Sequence, residues 1–278
     1  MKIGVRGHDV IHSNLDELGK TIYEKNLKSL HLALKKVKTG VNITKGSITP
    51  GMAREFRDIF SKYNVNISIL GCYINLAHPD DEELNVLLDS FKEHIRFARD
   101  FGCSIVGTET GALNKEYLYT PQNNTEEAFQ RTLNSIKILV EEAEKFGVFV
   151  AIEGVTKHVI NTPERIKRVI DNIKSNNLQV IFDPVNLIDE NNYDKQDDLI
   201  RKSFELFGDR IVAIHAKDYV YEDGNIKLAT IGKGQFNYPL LLSLIKQRKP
   251  YIDVLLENTT PKDIDESINY ITEIYSEI

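Results

Sequence analysis

Leu178-Gln-Val-Ile-Phe-Asp-Pro-Val-Asn-Leu187 decides how this chain is read. Gln179 to Phe182 is short, mostly apolar, β-branched and aromatic, with an Asn-Asn turn just before it, which is the pattern of a buried strand. Asp183 follows, and Pro184, having no N–H to donate, stops the ladder there. An acidic side chain is thus set where a buried strand emerges. Three other runs repeat the design: Val148-Phe-Val-Ala-Ile-Glu153, Ile211-Val-Ala-Ile-His215 and Ile252-Asp-Val-Leu-Leu-Glu257. From Glu153 through Asp183 and His215 to Glu257 the steps are 30, 32 and 42 residues, each the length of one strand–helix unit or slightly more. If the strands are parallel and adjacent, the four side chains converge on one rim.

The remaining segments fit the same alternation. Lys2 to Arg6 reads as the first strand, and Asn14 to Asn26 as a helix with Asn14 as N-cap and Asp16 and Glu17 in its first turn. Ser29 to Val37 reads as the second strand. A helix then opens at Thr49-Pro50, Thr as cap and Pro at the first position. Asn64 to Leu70 is the third strand, and Asp80 or Asp81 caps a helix running to about Gly102. Cys103 to Val106 is the fourth strand, followed by an irregular loop to about Asn124 and a helix from Thr125 to Phe146 that Gly147 terminates. Further helices are expected after Thr162-Pro163, over Asp197 to Phe207, over Tyr238 to Arg248, and from Pro261 to about Ser276. Regular β-α alternation argues for a parallel sheet, because parallel neighbours need crossover helices. Eight units in 278 residues give the size of a (β/α)8 barrel spanning 1–278 as one domain. An open dinucleotide-binding sheet would carry GxGxxG after the first strand, where this chain has only Gly4 and Gly7. In a barrel, the ends of the strands carry the active site.

Composition narrows the partners. Hydrophobic residues make up 41% and charged residues 27%, an ordinary folded mix. A net charge of −6 disfavours nucleic acid and anionic membranes. No long apolar run reads as a membrane span, and Met1-Lys-Ile-Gly-Val-Arg-Gly7 enters a strand pattern without the apolar core of a signal peptide. Cys72 and Cys103 form no CxxC and read as free thiols. The expectation is a cytoplasmic protein.

One acidic residue after a strand is often only a helix cap, and one His after an apolar run is often only hydrogen-bonded structure. Four consecutive strands ending on Glu, Asp, His and Glu change the weighing. Three carboxylates crowded on a dry rim repel unless a cation neutralises them. Three carboxylates with one imidazole form a hard, oxygen-rich donor set that favours Mn²⁺, and also Mg²⁺ or Co²⁺, over Zn²⁺.

Over essentially its whole length the chain resembles the xylose isomerase-like TIM-barrel superfamily, in particular its sugar-phosphate isomerase/epimerase group with the ketose 3-epimerases. The resemblance is carried by Glu153, Phe182-Asp-Pro-Val-Asn186, Ile214-His-Ala-Lys-Asp218, Gly232-Lys-Gly-Gln-Phe-Asn-Tyr238 and Leu256-Glu257. It implies that Glu153, Asp183, His215 and Glu257 are the metal ligands, and that Glu153 and Glu257 are also the acid/base pair of an isomerase or epimerase. Asn186 is then expected at a substrate hydroxyl. Lys217, sharing the inward parity of His215, is expected at a phosphate or carboxylate, with a salt bridge to Asp218 or Glu222 as the competing reading. Arg6, His8 and Glu109 are candidates to line the pocket. Lys233, between two glycines, resembles the family's mobile loop, whose backbone N–H groups would reach a phosphate. Two departures point away from free ketohexoses. The free-sugar epimerases carry a histidine where Asn186 stands, and an arginine in the region that Tyr219, Val220 and Tyr221 fill here.

The expected reaction is isomerisation or epimerisation of a ketose or sugar phosphate through a cis-enediolate, in a homodimer or homotetramer. An inosose dehydratase-like lyase would use the same enolate. A non-catalytic sugar-binding barrel would not need two proton-transferring carboxylates. An endonuclease IV-like repair enzyme would need many histidine ligands, whereas only His215 of the seven histidines lies at a ligand position.

Overall fold

The computed structural model describes residues 1–278. Its barrel strands are β1 (Lys2–Arg6), β2 (Ser29–Ala33), β3 (Asn66–Gly71), β4 (Ile105–Glu109), β5 (Phe149–Glu153), β6 (Leu178–Phe182), β7 (Ile211–Ala216) and β10 (Asp253–Leu256). Two more, β8 (Asp218–Glu222) and β9 (Asn225–Ala229), form an antiparallel hairpin after β7. The helices are α1 (Leu15–Glu24), α2 (Pro50–Lys62), α3 (Asp81–Phe97), α4 (Glu126–Phe146), α5 (Pro163–Ile173), α6 (Gln196–Phe207), α7 (Tyr238–Arg248) and α8 (Ile264–Glu277). Around the ring the order is β1-β10-β7-β6-β5-β4-β3-β2, and β1 closes it by pairing in parallel with both β2 and β10. The fold is a (β/α)8 barrel. No helix is long and apolar enough to cross a membrane.

The caps read from sequence are in place. Asn14 accepts from Glu17 N–H, Thr49 from Met52 N–H and Thr162 from Arg165 N–H, while Gly147 closes α4 at φ 61°. The larger core lies between sheet and helices. The smaller lies inside the barrel and consists of Ile69, Ala151, Ile181, Ala213 and Leu255. Gly107 completes that inner layer, because a Cβ there would sit 2.6 Å from Ile181 Cδ1 and 2.9 Å from Ile69 Cγ2. Side chains alternate along a strand, so the next inward positions lie two residues further on. Above Ala151, Ile181, Ala213 and Leu255 these are Glu153, Asp183, His215 and Glu257. The apolar plug therefore holds a polar layer at the strand ends.

Several boundaries depart from the sequence reading. β2 stops at Ala33 instead of Val37, because the chain turns at Leu34 and sends Leu34 and Val37 into the outer core. β4 runs to Glu109 instead of Val106, which makes Glu109 the last residue of a strand. The helix expected to reach Gly102 ends at Phe97, and the last helix begins at Ile264 rather than Pro261. The β8–β9 hairpin was not expected. Both thiols, Cys72 and Cys103, are free and buried.

Candidate metal centre

Each member of the quartet is held by an ordinary strand end. Glu153 ends β5, His215 is the penultimate residue of β7, and Asp183 and Glu257 directly follow β6 and β10. After β6 the chain turns at Pro184, and Asn186 N–H donates to Asp183 Oδ1 at 3.0 Å, fixing the carboxylate. All four side chains are buried, and one ligand atom from each lies within 4.8 Å of the others. His215 Nδ1 is 3.1 Å from Glu153 Oε2 and 3.0 Å from Glu257 Oε2. Yet Asp183 Oδ2, His215 Nδ1 and Glu257 Oε2 make no hydrogen bond of proper geometry. Buried polar atoms are rarely left so, and three of them turned to one point fit a bound cation. The donor types suit a hard divalent ion.

The protein supplies its own positive charge around these carboxylates. Lys217 Nζ lies 2.8 Å from Glu257 Oε1, 3.1 Å from Asp183 Oδ2 and 2.9 Å from Asn186 Oδ1. Arg6 pairs with Glu257 and reaches Asp9 at 2.9 Å. Burial pushes the Asp183 carboxyl up to about 6, against the pull of Lys217 and with help from Glu153 and Glu257. For His215 burial works downward, but Glu153 and Glu257 outweigh it and raise the ring to about 10. Burial likewise opposes the ionised form of Glu257, and Lys217 and His215 overcome it, holding this carboxyl well below the usual range.

Of the other residues singled out in sequence, Asn186 donates from Nδ2 to Glu153 Oε1 at 2.6 Å and accepts from Lys217, so it joins the two halves of the site. Lys217 turns inward, and neither Asp218 nor Glu222 is its partner. Glu109 lies beside Glu153 in the β4–β5 register and accepts a hydrogen bond from Tyr117 Oη at 3.3 Å. Its carboxyl is raised by burial and by Glu257. His8 is pushed down to about 4, mainly by burial and then by Arg6, and its Nδ1 is buried without a partner.

Lys233 departs from expectation. It is more than half exposed and pairs with Glu266 in the first turn of α8. The N–H groups of its loop are also engaged, since Gly232 and Gly234 donate to Asp218 Oδ2 at 2.9 and 3.1 Å. They are not free for a phosphate. Sequence reasoning missed His31, Tyr73, Tyr117 and His158. His31 contacts His215, Tyr73 contacts His31, and His158 Nδ1 lies 3.7 Å from Glu109 Oε2. A groove of about 780 Å³ runs from Tyr73 and Tyr117 along α3, with Lys36 and Lys115 on its walls.

The family model for the xylose isomerase-like TIM barrel matches residues 38–274. A D-tagatose 3-epimerase-like protein superposes with a TM-score of 0.78 at 19% identity, covering 100% of this chain and 99% of that one. The IOLI protein with a binding zinc atom gives 0.76 at 17%, covering 100% and 99%. A probable 3-DHS dehydratase, AsbF, from Bacillus anthracis gives 0.75 at 13%, covering 98% and 99%. At these identities the likeness shows the fold. No curated protein matches the chain.

Proposed function

The chain belongs to the xylose isomerase-like TIM-barrel family, and from that premise we propose that it is a divalent-metal-dependent isomerase or epimerase of a ketose or sugar phosphate. The observation that carries this reading is the buried quartet Glu153, Asp183, His215 and Glu257, with three ligand atoms left without a hydrogen bond. These residues would hold the ion, with Mn²⁺ the first candidate. A divalent ion there would supply positive charge to the oxygens of an enediolate formed from the substrate.

The chain's own groups provide the proton chemistry. Glu153 and Glu257 stand three strands apart around the ring, on β5 and after β10, and flank His215 and Asp183. A planar enediolate between them would expose one face to each carboxylate. One glutamate removes the proton beside the carbonyl and the other returns one from the opposite face, which inverts the carbon. If one glutamate performs both steps, the proton reaches the neighbouring carbon and the outcome is an aldose–ketose shift. Asn186 orients Glu153 through its 2.6 Å hydrogen bond, while Lys217 and Arg6 hold Glu257. Lys217, Arg6, His8, Glu109 and Asn186 would be the groups that meet substrate oxygens.

Dehydration of a polyol ketone is a second reading. It starts from the same proton abstraction, and Glu109, the additional strand-end carboxyl hydrogen-bonded by Tyr117, would serve the leaving hydroxyl. One experiment separates these outcomes. The Mn²⁺-loaded protein is incubated in D₂O with a panel of ketoses, ketose phosphates and inososes. Isomerisation or epimerisation should place deuterium on the carbon next to the carbonyl with the mass otherwise unchanged. Loss of water would establish the lyase, and no exchange with any member of the panel would sink both.

A further inference from the structure

The ring of His31 lies inside the barrel and is fully buried. It meets His215 edge to edge, with ring centroids 5.0 Å apart, planes 19° apart and its Nδ1 3.0 Å from His215 Nε2. Its Nε2 is 3.3 Å from Tyr73 Oη, and no other hydrogen-bond partner reaches it. Gly71 makes room for this ring, because any Cβ there would strike His31 Nε2.

Two ring nitrogens that face each other at 3.0 Å share one proton, so one must donate and the other accept. His215 Nδ1 is the nitrogen turned to Glu153 and Glu257, and a metal takes that nitrogen through its lone pair. The ring proton of neutral His215 must then sit on Nε2. A metal-bound histidine generally depends on an outer acceptor to hold that tautomer, most often a carboxylate or a carbonyl. Here the group in that place is an imidazole. We propose that His31 is a positioning residue that accepts the Nε2 proton of His215 and so presents His215 Nδ1 to the metal as a bare lone pair; this rests on the metal-centre reading above. The rest of the order follows. His31 carries its own proton on Nε2 and donates it to Tyr73 Oη, so the three side chains form one directed chain from the metal ligand to the groove.

The test is calorimetric titration of the metal-free full chain with Mn²⁺, for the wild type, His31→Leu and His31→Asn. Asparagine can place Oδ1 where Nδ1 stood, whereas leucine fills the space and accepts nothing. His31→Leu should bind about 10–100-fold more weakly, and His31→Asn should regain most of that loss. Equal affinity in all three would overturn the positioning role and leave the metal centre standing. No binding by the wild type would overturn both. A second measurement, independent of whether His31→Leu folds, is ¹⁵N NMR of the wild type loaded with diamagnetic Zn²⁺. His31 Nδ1 should appear unprotonated and scalar-coupled to the Nε2–H of His215, and a protonated His31 Nδ1 would refute the assignment.

Discussion

Glu153 and Glu257 have the same chemistry but different neighbours, and that difference should be measurable. Glu153 is oriented by neutral Asn186, whereas Glu257 is held between Lys217 and Arg6. Glutamine keeps the size of glutamate but cannot carry a proton. Glu153→Gln and Glu257→Gln should each lower turnover by about 10² to 10⁴. Exchange should separate them: with a substrate of one configuration, one variant still washes deuterium in while the other cannot begin. If excess metal restores both variants, neither glutamate transfers protons and the isomerase reading fails. The quartet was legible because each member ends an apolar run, where a barrel must place its chemistry. His31 was not. It stands inside Ser29-Leu-His-Leu-Ala33, where a lone His among aliphatics reads as part of the core. The signal available was parity, since Ser29 and His31 are the polar positions of that strand and share one face.

At the scale of elements, the inner layer and the loop after β7 carry separate predictions. Gly107→Ala pushes a methyl group against Ile181 Cδ1 and Ile69 Cγ2 in a closed ring, where overpacking costs about 1–3 kcal/mol. Ile181→Val removes the nearer atom, so the double variant should recover much of the loss in chemical denaturation. Simple additivity of the two single changes would show that the layer is looser than its distances. In the loop, Asp218 accepts from the N–H groups of Tyr219, Gly232, Gly234 and Phe236, all within 2.8–3.1 Å. Asp218→Ala leaves those donors without their acceptor, and roughly 2–4 kcal/mol should be lost. Amide exchange should speed up at Gly232, Gly234 and Phe236 ahead of the barrel strands, and unchanged exchange there would mean that other contacts hold the loop. The hairpin before it carried a signal that went unread. Asp223-Gly224 sits between alternating residues, and both adopt positive φ, 52° and 77°, as a tight two-residue turn requires. The role of Asp218 was illegible for a different reason, because its partners are backbone groups up to 18 residues away.

At the scale of the whole molecule, the quartet ties together β5, β6, β7 and β10, half of the barrel ring, at the end opposite the chain's first residues in each strand. Without a metal, that rim holds three buried carboxylates balanced by Lys217, Arg6 and the raised His215. A metal that binds only the folded chain must stabilise it by mass action. At 100 times the dissociation constant the gain is about 2.7 kcal/mol, which for a chain of this size raises the melting temperature by roughly 5–10 °C. His215→Ala removes one ligand and no part of the apolar inner layer, so the variant should fold and melt cooperatively. Its melting temperature should no longer respond to Mn²⁺, whereas that of the wild type should rise with added metal and fall with a chelator. The comparison isolates the site, because non-specific binding of Mn²⁺ to the acidic surface would act on both proteins alike. An equal shift in wild type and His215→Ala would therefore place the bound metal somewhere other than these four strand ends.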